Sequence, residues 1–560
     1  MNTAFSVALR RGACEHPNSK NEQVVDTWEI SASEDLSVQW LRQDQCLVIG
    51  DCFPSLSERG DVSEDPIQTV RSMAETYWGR FIFIAWNHLT GAVTIYRDPS
   101  GMVPCYYSFN SETVAIGTDV RSLDAIGLRQ HRIDWDEIAN SLIMPNLRRH
   151  QTCLKGIFEV APGEMVVIDG DRSCRDQIWN PGNFIGRNRL CTFEEAAELL
   201  EATMIQTLKT WCDRYAHPLV SVSGGFDSSA VAVLANKFGS TELLHLYTRS
   251  PLGDERRYAA MLAEHLGCEM SISLCQSDAV TVQKNLSSGR PRPSARAFTQ
   301  VFDEISAGYA TRVGASAHFS GGGGDNVFGK LHSAYPLADR YRRNGFGRDL
   351  ISTALDVCHT TGASMPAVLG QALRGLKPTS IPEAWSVRTD LLTPKVKATI
   401  SQEPHPWLVR CRNVMPGEWQ LVRNIARATA LTDHLNIEGD LPTICPLLSQ
   451  PIVEQCLSFP TWYWLSGGRD RALARAALRA YLPASILDRR GKGAFTGLLA
   501  EILHNNWDRI YDDLKEGLLA QHGLLDIAAV GEVGAQSADS SRIFTVLYIH
   551  ETEMWCRNWH

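Results

Sequence analysis

The rhythm of hydrophobic and polar positions changes near residue 190. Before it, short apolar runs at 46–50, 81–86, 92–96 and 165–168 are broken by Gly, Asp, Asn and Pro. Runs of this length between turn formers predict strands of layered sheets. One helical period, 66–78, separates two of them. The stretch 180–189 (NPGNFIGRNR) carries Pro, Gly and Asn and predicts a linker. Thr192-Phe-Glu-Glu195 then spells a capping box, opening a helix to about Tyr215. Beyond it, strands at 218–223, 243–248 and 269–274 alternate with helices at 228–238 and 255–266, which end at Gly239 and Gly267. Such alternation predicts βαβ units and a parallel sheet. From about 333 onward the pattern is mostly helical, with no internal repeat.

Composition narrows the class. A chain of 560 residues implies two to four domains, and 44% hydrophobic with 21% charged residues is globular rather than disordered. A net charge of -9 argues against a protein devoted to nucleic-acid backbones. Fifteen cysteines show no CxxC pair and no Cys/His cluster at zinc spacing, which predicts reduced thiols in a cytoplasmic protein. The first twenty residues lack the apolar core of a signal peptide, and no apolar run approaches the roughly 18 residues of a membrane span. A soluble protein without nucleic-acid or membrane partners is expected.

Ser223-Gly224-Gly225-Phe226-Asp227-Ser228 lies between an apolar strand and an apolar helix. Paired glycines permit close backbone approach, the helix start offers free N–H groups, and Ser221, Ser223 and Ser228 add hydroxyls. Together they make a phosphate cradle at the C-terminal end of a parallel strand, where ligands of open α/β sheets bind. A plain strand-to-helix turn is the alternative. No Gly-Lys-Ser/Thr follows, so this is not a Walker loop. The string SGGxDS resembles the pyrophosphate loop of the ATP-pyrophosphatase superfamily, whose members cleave ATP between its α and β phosphates and transfer AMP. Ser320-Gly321-Gly322-Gly-Gly-Asp325-Asn-Val-Phe-Gly329 resembles the SGxGxDExFGG segment of asparagine synthetases and β-lactam synthetases. That resemblance implies a site for Mg²⁺ and ATP, with Asp227 and Asp325 as magnesium ligands and Thr248 beside the nucleotide. The four glycines read alone as a flexible connector.

A third segment continues the likeness: Pro446-Leu-Leu-Ser-Gln-Pro451, Gly467-Gly-Arg-Asp-Arg471-Ala-Leu-Ala-Arg475 and Arg489-Arg490-Gly491-Lys492-Gly493. It is similar to the C-terminal part of asparagine synthetases and implies catalytic roles for Lys492 and for Arg471, a pyrophosphate contact. Helix-face arginines at 471, 475 and 479 otherwise read as solvated. His318 and His332 flank the second loop and are candidate bases. The 290–296 segment (RPRPSAR) reads either as a clamp on substrate or nucleotide or as a stiff surface loop, and Asp254 and Glu255 as helix-start acids near the nucleotide.

Arg97-Asp98-Pro-Ser-Gly101-Met-Val-Pro104-Cys-Tyr-Tyr107 resembles the ARDxxGxxPLYY segment of class II glutamine amidotransferases. Working members use a cysteine right after the initiator Met. Here Asn2 stands there, and Cys14 is too far in, so a glutaminase-like unit without its nucleophile is expected. The resemblances imply an α/β architecture: an Ntn-type αββα sandwich over 1–180 and an ATP-pyrophosphatase parallel-sheet domain with many helices over 190–560. The GGDNVF, PLLSQP and GGRDR…AR strings most resemble proteobacterial lasso-peptide macrolactam synthetases. That likeness implies a ribosomal core peptide as substrate and a leader peptidase and leader-binding protein as partners. The 333–445 region, with Arg340–Arg343, would shape the peptide pocket. An ammonia-dependent asparagine synthetase, another small-molecule ligase and an inactive scaffold for peptide maturation stand as alternatives.

Overall fold

A computed structural model describes the chain except residues 1–4, 11–26, 33–35, 42–44, 55–62, 64, 88, 125–130, 286, 288, 295–298, 331, 377–384, 386, 399–402, 412–413, 431, 433–440, 492, 494 and 536–539. Asn2, Cys14, Arg296 and Lys492 therefore lie outside the described residues.

The first half builds two antiparallel sheets. One joins β1 (Phe5–Arg10), β2 (Thr27–Ala32), β7 (Tyr106–Phe109), β8 (Thr113–Gly117) and β9 (Phe158–Glu159) in the order β2-β1-β8-β7-β9. The other joins β3 (Val38–Leu41), β4 (Cys46–Phe53), β5 (Trp78–Trp86), β6 (Val93–Arg97), β10 (Glu164–Asp169) and β11 (Arg172–Gln177) in the order β11-β10-β6-β5-β4-β3. The period-2 geometry of a strand explains why β5 is apolar on both faces. Ile82, Ile84 and Trp86 enter the core between the sheets with Phe5, Val7 and Ile116. Phe81, Phe83 and Ala85 pack outward with Val70 and Met73 of helix Pro66–Thr76.

The second half carries a parallel sheet of β12 (Pro218–Ser221), β13 (Glu242–Tyr247), β14 (Met270–Leu274), β15 (Ala317–Phe319) and β16 (Thr443–Ile444), ordered β14-β13-β12-β15-β16. β12 is central, and β15 pairs with it in parallel, Leu219 opposite His318. The two glycine loops leave the C-terminal ends of these neighbouring strands and so emerge side by side.

The halves share a core. Tyr106, Ala115 and Leu142 belong to the same buried cluster as Val220, Leu421 and Trp555. Charges cross the junction too: Asp51 accepts from Arg80 at 2.7 Å, Tyr215 at 2.6 Å and Arg214 at 2.6 Å. Burial alone would raise the Asp51 carboxyl, yet Arg80, Tyr215 and Arg214 hold it below its ordinary value.

Two expectations change. The 180–189 stretch is not a loose linker: Gly186 and Asn188 donate their N–H groups to Leu457 and Ser458 at the end of helix Gln450–Ser458, and Asn180 is buried. Turn-forming composition marks where the chain bends, not whether its backbone finds partners. Arg290 and Arg292 stand neither as a substrate clamp nor on a surface loop. Arg290 donates to Thr118 O at 2.8 Å, and Arg292 pairs with Glu159 at 3.1 Å, both arginines buried against the N-terminal sheets.

Candidate functional site

Ser223, Gly224 and Gly225 turn the chain from β12 into helix Phe226–Phe238, whose first turn has no side-chain cap. Its leading N–H groups are thus left for an anion. The loop is pre-formed. Ser228 Oγ accepts from Ser223 N at 3.0 Å, lies 3.0 Å from Ser223 Oγ and donates to Gly225 O at 3.2 Å. Gly224 has φ +73, and a Cβ there would sit 3.0 Å from Tyr258 Cβ and 3.2 Å from Glu255 O. Ser221 is not in this cradle; its hydroxyl lies 2.7 Å from His318 Nε2. Thr248 lies just beyond the end of β13, buried, its hydroxyl without a hydrogen-bond partner among the described residues.

The second loop interlocks with the first. A Cβ on Gly321 would lie 2.6 Å from Ser228 N, one on Gly324 2.6 Å from Asp227 Cγ, and one on Gly322 3.1 Å from Cys445 Sγ. Ser320 Oγ accepts from Gly322 N at 3.1 Å. The glycine tract is therefore a close-packed wall and not a flexible connector: a Cβ at 321 would strike the Ser228 backbone, and one at 322 or 324 the Cys445 or Asp227 side chain.

Between the loops stands Arg471. Its Nη1 donates to Asp227 Oδ2 at 2.8 Å and to Asp325 Oδ1 at 2.7 Å, and its Nη2 to Asp470 Oδ2 at 2.9 Å. Burial would lower this guanidinium's pKa, but the three carboxylates hold it above its ordinary value. Arg471 has φ 55, the one non-glycine residue with positive φ among those described. A residue held in the left-handed region costs on the order of 1–3 kcal/mol and persists where its surroundings over-determine it. Lys330 Nζ lies 3.5 Å from Asp325, so two cations already face the paired carboxylates.

These two carboxylates fit magnesium by their chemistry. The place between them holds a cation, and Mg²⁺ is commonly bound by one or two carboxylates plus phosphate oxygens. Among the described residues no group of three or more His, Cys, Asp and Glu forms a self-sufficient metal cage.

Other residues take different places from those expected. Arg475 is not on a solvated face; it is buried and spends its donors on Asp470, Ile486 O, Leu487 O and Arg489 O, which fixes the following turn. Arg479 alone of the three is exposed. His318 is held between Ser221 and Thr443, and burial pulls it down to about 4, which leaves it a poor base near neutrality. His332 lines a cleft of about 290 Å³ with Lys330, His359, Arg471 and Arg490. Arg340 is engaged by Thr353 and Asp349, Arg342 by Leu376 O and Arg343 by Arg189 O. Through these bonds they brace the helical region.

Sequence reasoning missed Arg489. It donates to Gly224 O at 2.8 Å, binds Glu255 Oε1 and lies 3.8 Å over the Tyr258 ring. Gly493 N donates to the same Glu255 oxygen. Arg489 and Gly493 are thereby fastened beside the first glycine loop. Its paired arginines next to Gly-Lys-Gly were the available signal. In the N-terminal half, Arg97 donates to Val103 O at 2.9 Å, Gly101 O at 2.7 Å and Val160 O at 3.0 Å, so the ARDxxGxxP-like string holds its own turn together.

Fold and site define an α/β protein with an amidotransferase-type αββα sandwich and a parallel sheet bearing paired glycine loops. The chain belongs to the asparagine synthase family, whose model matches residues 216–557. That domain is the one of ATP-dependent amide ligases, which form carbon–nitrogen bonds. A glutamine amidotransferase domain model matches residues 67–179. Among curated proteins, "Amidase chry2" of Gibberella zeae is 24% identical over 159 residues, which is 28% of this chain and 23% of that protein. The chain thus spans about a quarter of that relative's length. Solved structures that match include an allosteric regulatory enzyme of purine biosynthesis, 11% identical with a TM-score of 0.20, covering 57% of this chain and 83% of the other. Glutamine phosphoribosylpyrophosphate amidotransferase from B. subtilis is 10% identical with a TM-score of 0.19, covering 69% and 92%. Superpositions that loose carry no weight for this chain.

Proposed function

We propose that this chain is an ATP-dependent ligase that adenylates the Asp or Glu side-chain carboxylate of a ribosomal core peptide and joins it to the peptide's N-terminal amine. The product is a macrolactam, with AMP and pyrophosphate released. The observation that carries the adenylating half is the convergence of Asp227 and Asp325, from two interlocked glycine loops, on one cationic position. The cyclising half is supported by the GGDNVF, PLLSQP and GGRDR strings.

Each residue has a task in this reading. The uncapped helix start at Phe226, with Ser223 and Ser228, holds the β and γ phosphates, and Thr248 faces the nucleoside. Asp227 and Asp325 hold magnesium, which when bound neutralises phosphate charge and favours departure of pyrophosphate. Arg471 leaves the carboxylates for the pyrophosphate oxygens, and Lys492 stabilises charge on the reacting carboxylate. Arg489 and Glu255 brace the first glycine loop. Holding the peptide folded brings amine and acyl-adenylate together as an intramolecular pair. A glutaminase-like unit, 1–180, and a ligase unit, 190–560, make up the enzyme. Its partners are the precursor peptide, a leader peptidase and a leader-binding protein, in the cytoplasm. Among the described residues no helix is long and apolar enough to cross a membrane.

The test is ATP–pyrophosphate exchange with candidate core peptides encoded beside the gene, followed by mass spectrometry. Peptide-dependent exchange with loss of one water from the peptide is expected. Exchange with aspartate, and asparagine formed with ammonia, would replace this reading by a small-molecule synthetase. No exchange with any acid would leave the scaffold reading.

A further inference from the structure

Forming an amide from an acyl-adenylate needs a group that takes the amine's proton. The glycine loops supply none: His318 is buried and pulled down to about 4, and Asp227 and Asp325 face Arg471. The cleft of about 290 Å³ that Arg471 lines does hold proton acceptors. Its two acids are already engaged. Asp470 pairs with Arg471 and with Arg475, each at 2.9 Å; burial would raise its carboxyl, but the two arginines hold it below its ordinary value. Asp488 pairs with Arg469 at 2.6 Å. Lys330, Arg489 and Arg490 carry positive charge. Two imidazoles are left in the lining, His332 and His359, and neither has a hydrogen-bond partner among the described residues.

Of the two, His359 is held in place. It stands in the last turn of helix Arg348–Thr361 and packs on Gly468: a Cβ there, at φ +67, would lie 2.7 Å from His359 Cβ and 3.3 Å from its Cγ. The ring thus rests on the backbone that leads, three residues on, to Arg471. Asp356, three residues back on the same helix, adds a negative charge beside it. His332 lies outside any helix or strand, and a group carried on a helix is placed more precisely than one on a loop. The cations have a consequence for the nucleophile. A cleft lined by Lys330, Arg471, Arg489 and Arg490 repels an ammonium and admits the free amine, which is the form that attacks.

We propose that His359 is a catalytic residue that accepts the proton of the attacking amine in the amide-forming half of the reaction. As the amine nitrogen bonds to the acyl carbon of the adenylate, the surplus proton on nitrogen passes to the imidazole. The bond from that carbon to the AMP oxygen then breaks, and AMP leaves with the electron pair. The imidazolium returns its proton to water. Forming the adenylate moves no proton, because an ionised carboxylate attacks and pyrophosphate departs, so that half does not use His359. The inference rests on the ligase reading for the reaction it serves.

The two halves are measured separately on full-length wild type, His359→Gln and His332→Gln, with Mg-ATP and the leader-free core peptide encoded beside the gene. ATP–pyrophosphate exchange reads adenylation, and mass spectrometry reads the ring. His359→Gln is expected to exchange within about twofold of wild type, which also shows that it is folded, and to close the ring at least about 100-fold more slowly. It should lose one ascending limb of the pH–rate profile of ring closure, while hydroxylamine, a nucleophile uncharged at neutral pH, traps the adenylate as fast as in wild type. His332→Gln should keep both rates. Ring closure unchanged in His359→Gln overturns the assignment. Equal loss of exchange and ring closure overturns it too and makes His359 a phosphate contact or a support of the fold. Loss confined to His332→Gln overturns it in favour of that residue. Absence of exchange in wild type overturns the ligase reading, and this assignment with it, which no variant result does alone.

Discussion

Replacing Arg471 with methionine keeps most of the side chain's volume but removes the charge between the two loop aspartates. In wild type the guanidinium side chain is 6% exposed and touches Asp227, 7% exposed, at 2.8 Å; Asp325, 34% exposed, is better screened. Removing one partner of a buried pair costs about 3–5 kcal/mol, because the other charge stays buried and uncompensated. Only the Asp227 contact qualifies here, since water reaches Asp325 and Asp470 keeps Arg475 at 2.9 Å, and release of the left-handed strain at residue 471 is not to be expected while the backbone stays. The expected loss is therefore about 3 kcal/mol in buffer with chelator. Magnesium then has an open place between two carboxylates. At 100 times its dissociation constant it restores about 2.7 kcal/mol. In wild type it must first displace Arg471, so its effect without ATP is small. Urea melts of both proteins, with and without millimolar Mg²⁺ and with Ca²⁺ as a control, give the four numbers. Equal magnesium stabilisation in the two proteins would refute the idea that Arg471 occupies the metal's place.

Three further outcomes are expected. Gly324→Ala places a methyl 2.6 Å from Asp227 Cγ; the loops must part, at about 1–3 kcal/mol of stability, and ATP affinity measured by fluorescence titration falls at least tenfold. His318 titrates near 4 in the folded chain and near 6.5 unfolded, so the unfolded chain takes up its proton first on acidification. Its contribution to stability is complete above about pH 6.5 and is lost as pH falls toward 4. His318→Gln should make the pH dependence of the urea midpoint shallower by up to one proton, about 1.4 kcal/mol per pH unit, and leave the neutral pH–rate profile unchanged. Arg80→Met strips Asp51 of its fully buried partner while Arg214 remains half-exposed; a loss of about 3–5 kcal/mol and a first unfolding step sensed at Trp78 and Trp211 are expected in calorimetry and fluorescence.

The sequence made some of this architecture legible and hid the rest for physical reasons. β12 to β14 and their helices were readable because each apolar run is long enough to show its period. The Thr192 capping box was readable because both of its bonds are local, and both form. β15 and β16, of three and two residues, are too short for any period. The glycine loops and Asp227 and Asp325 were visible as strings. The position of Arg471 was not, because its direction depends on one left-handed residue. Arg489 and Glu255 meet across 234 residues; such a pairing follows from packing and leaves no local mark.

The buried cluster shared by the two halves bears on how such a chain changes over generations. Leu142 of the sandwich and Trp555 near the C-terminus lie in one interior, and Arg290 and Arg292 reach from the ligase half to Thr118 and Glu159. A half that supplies its neighbour's interior cannot be shed freely, because deletion would strip the other half's wall. The sandwich is in this sense a load shared between halves.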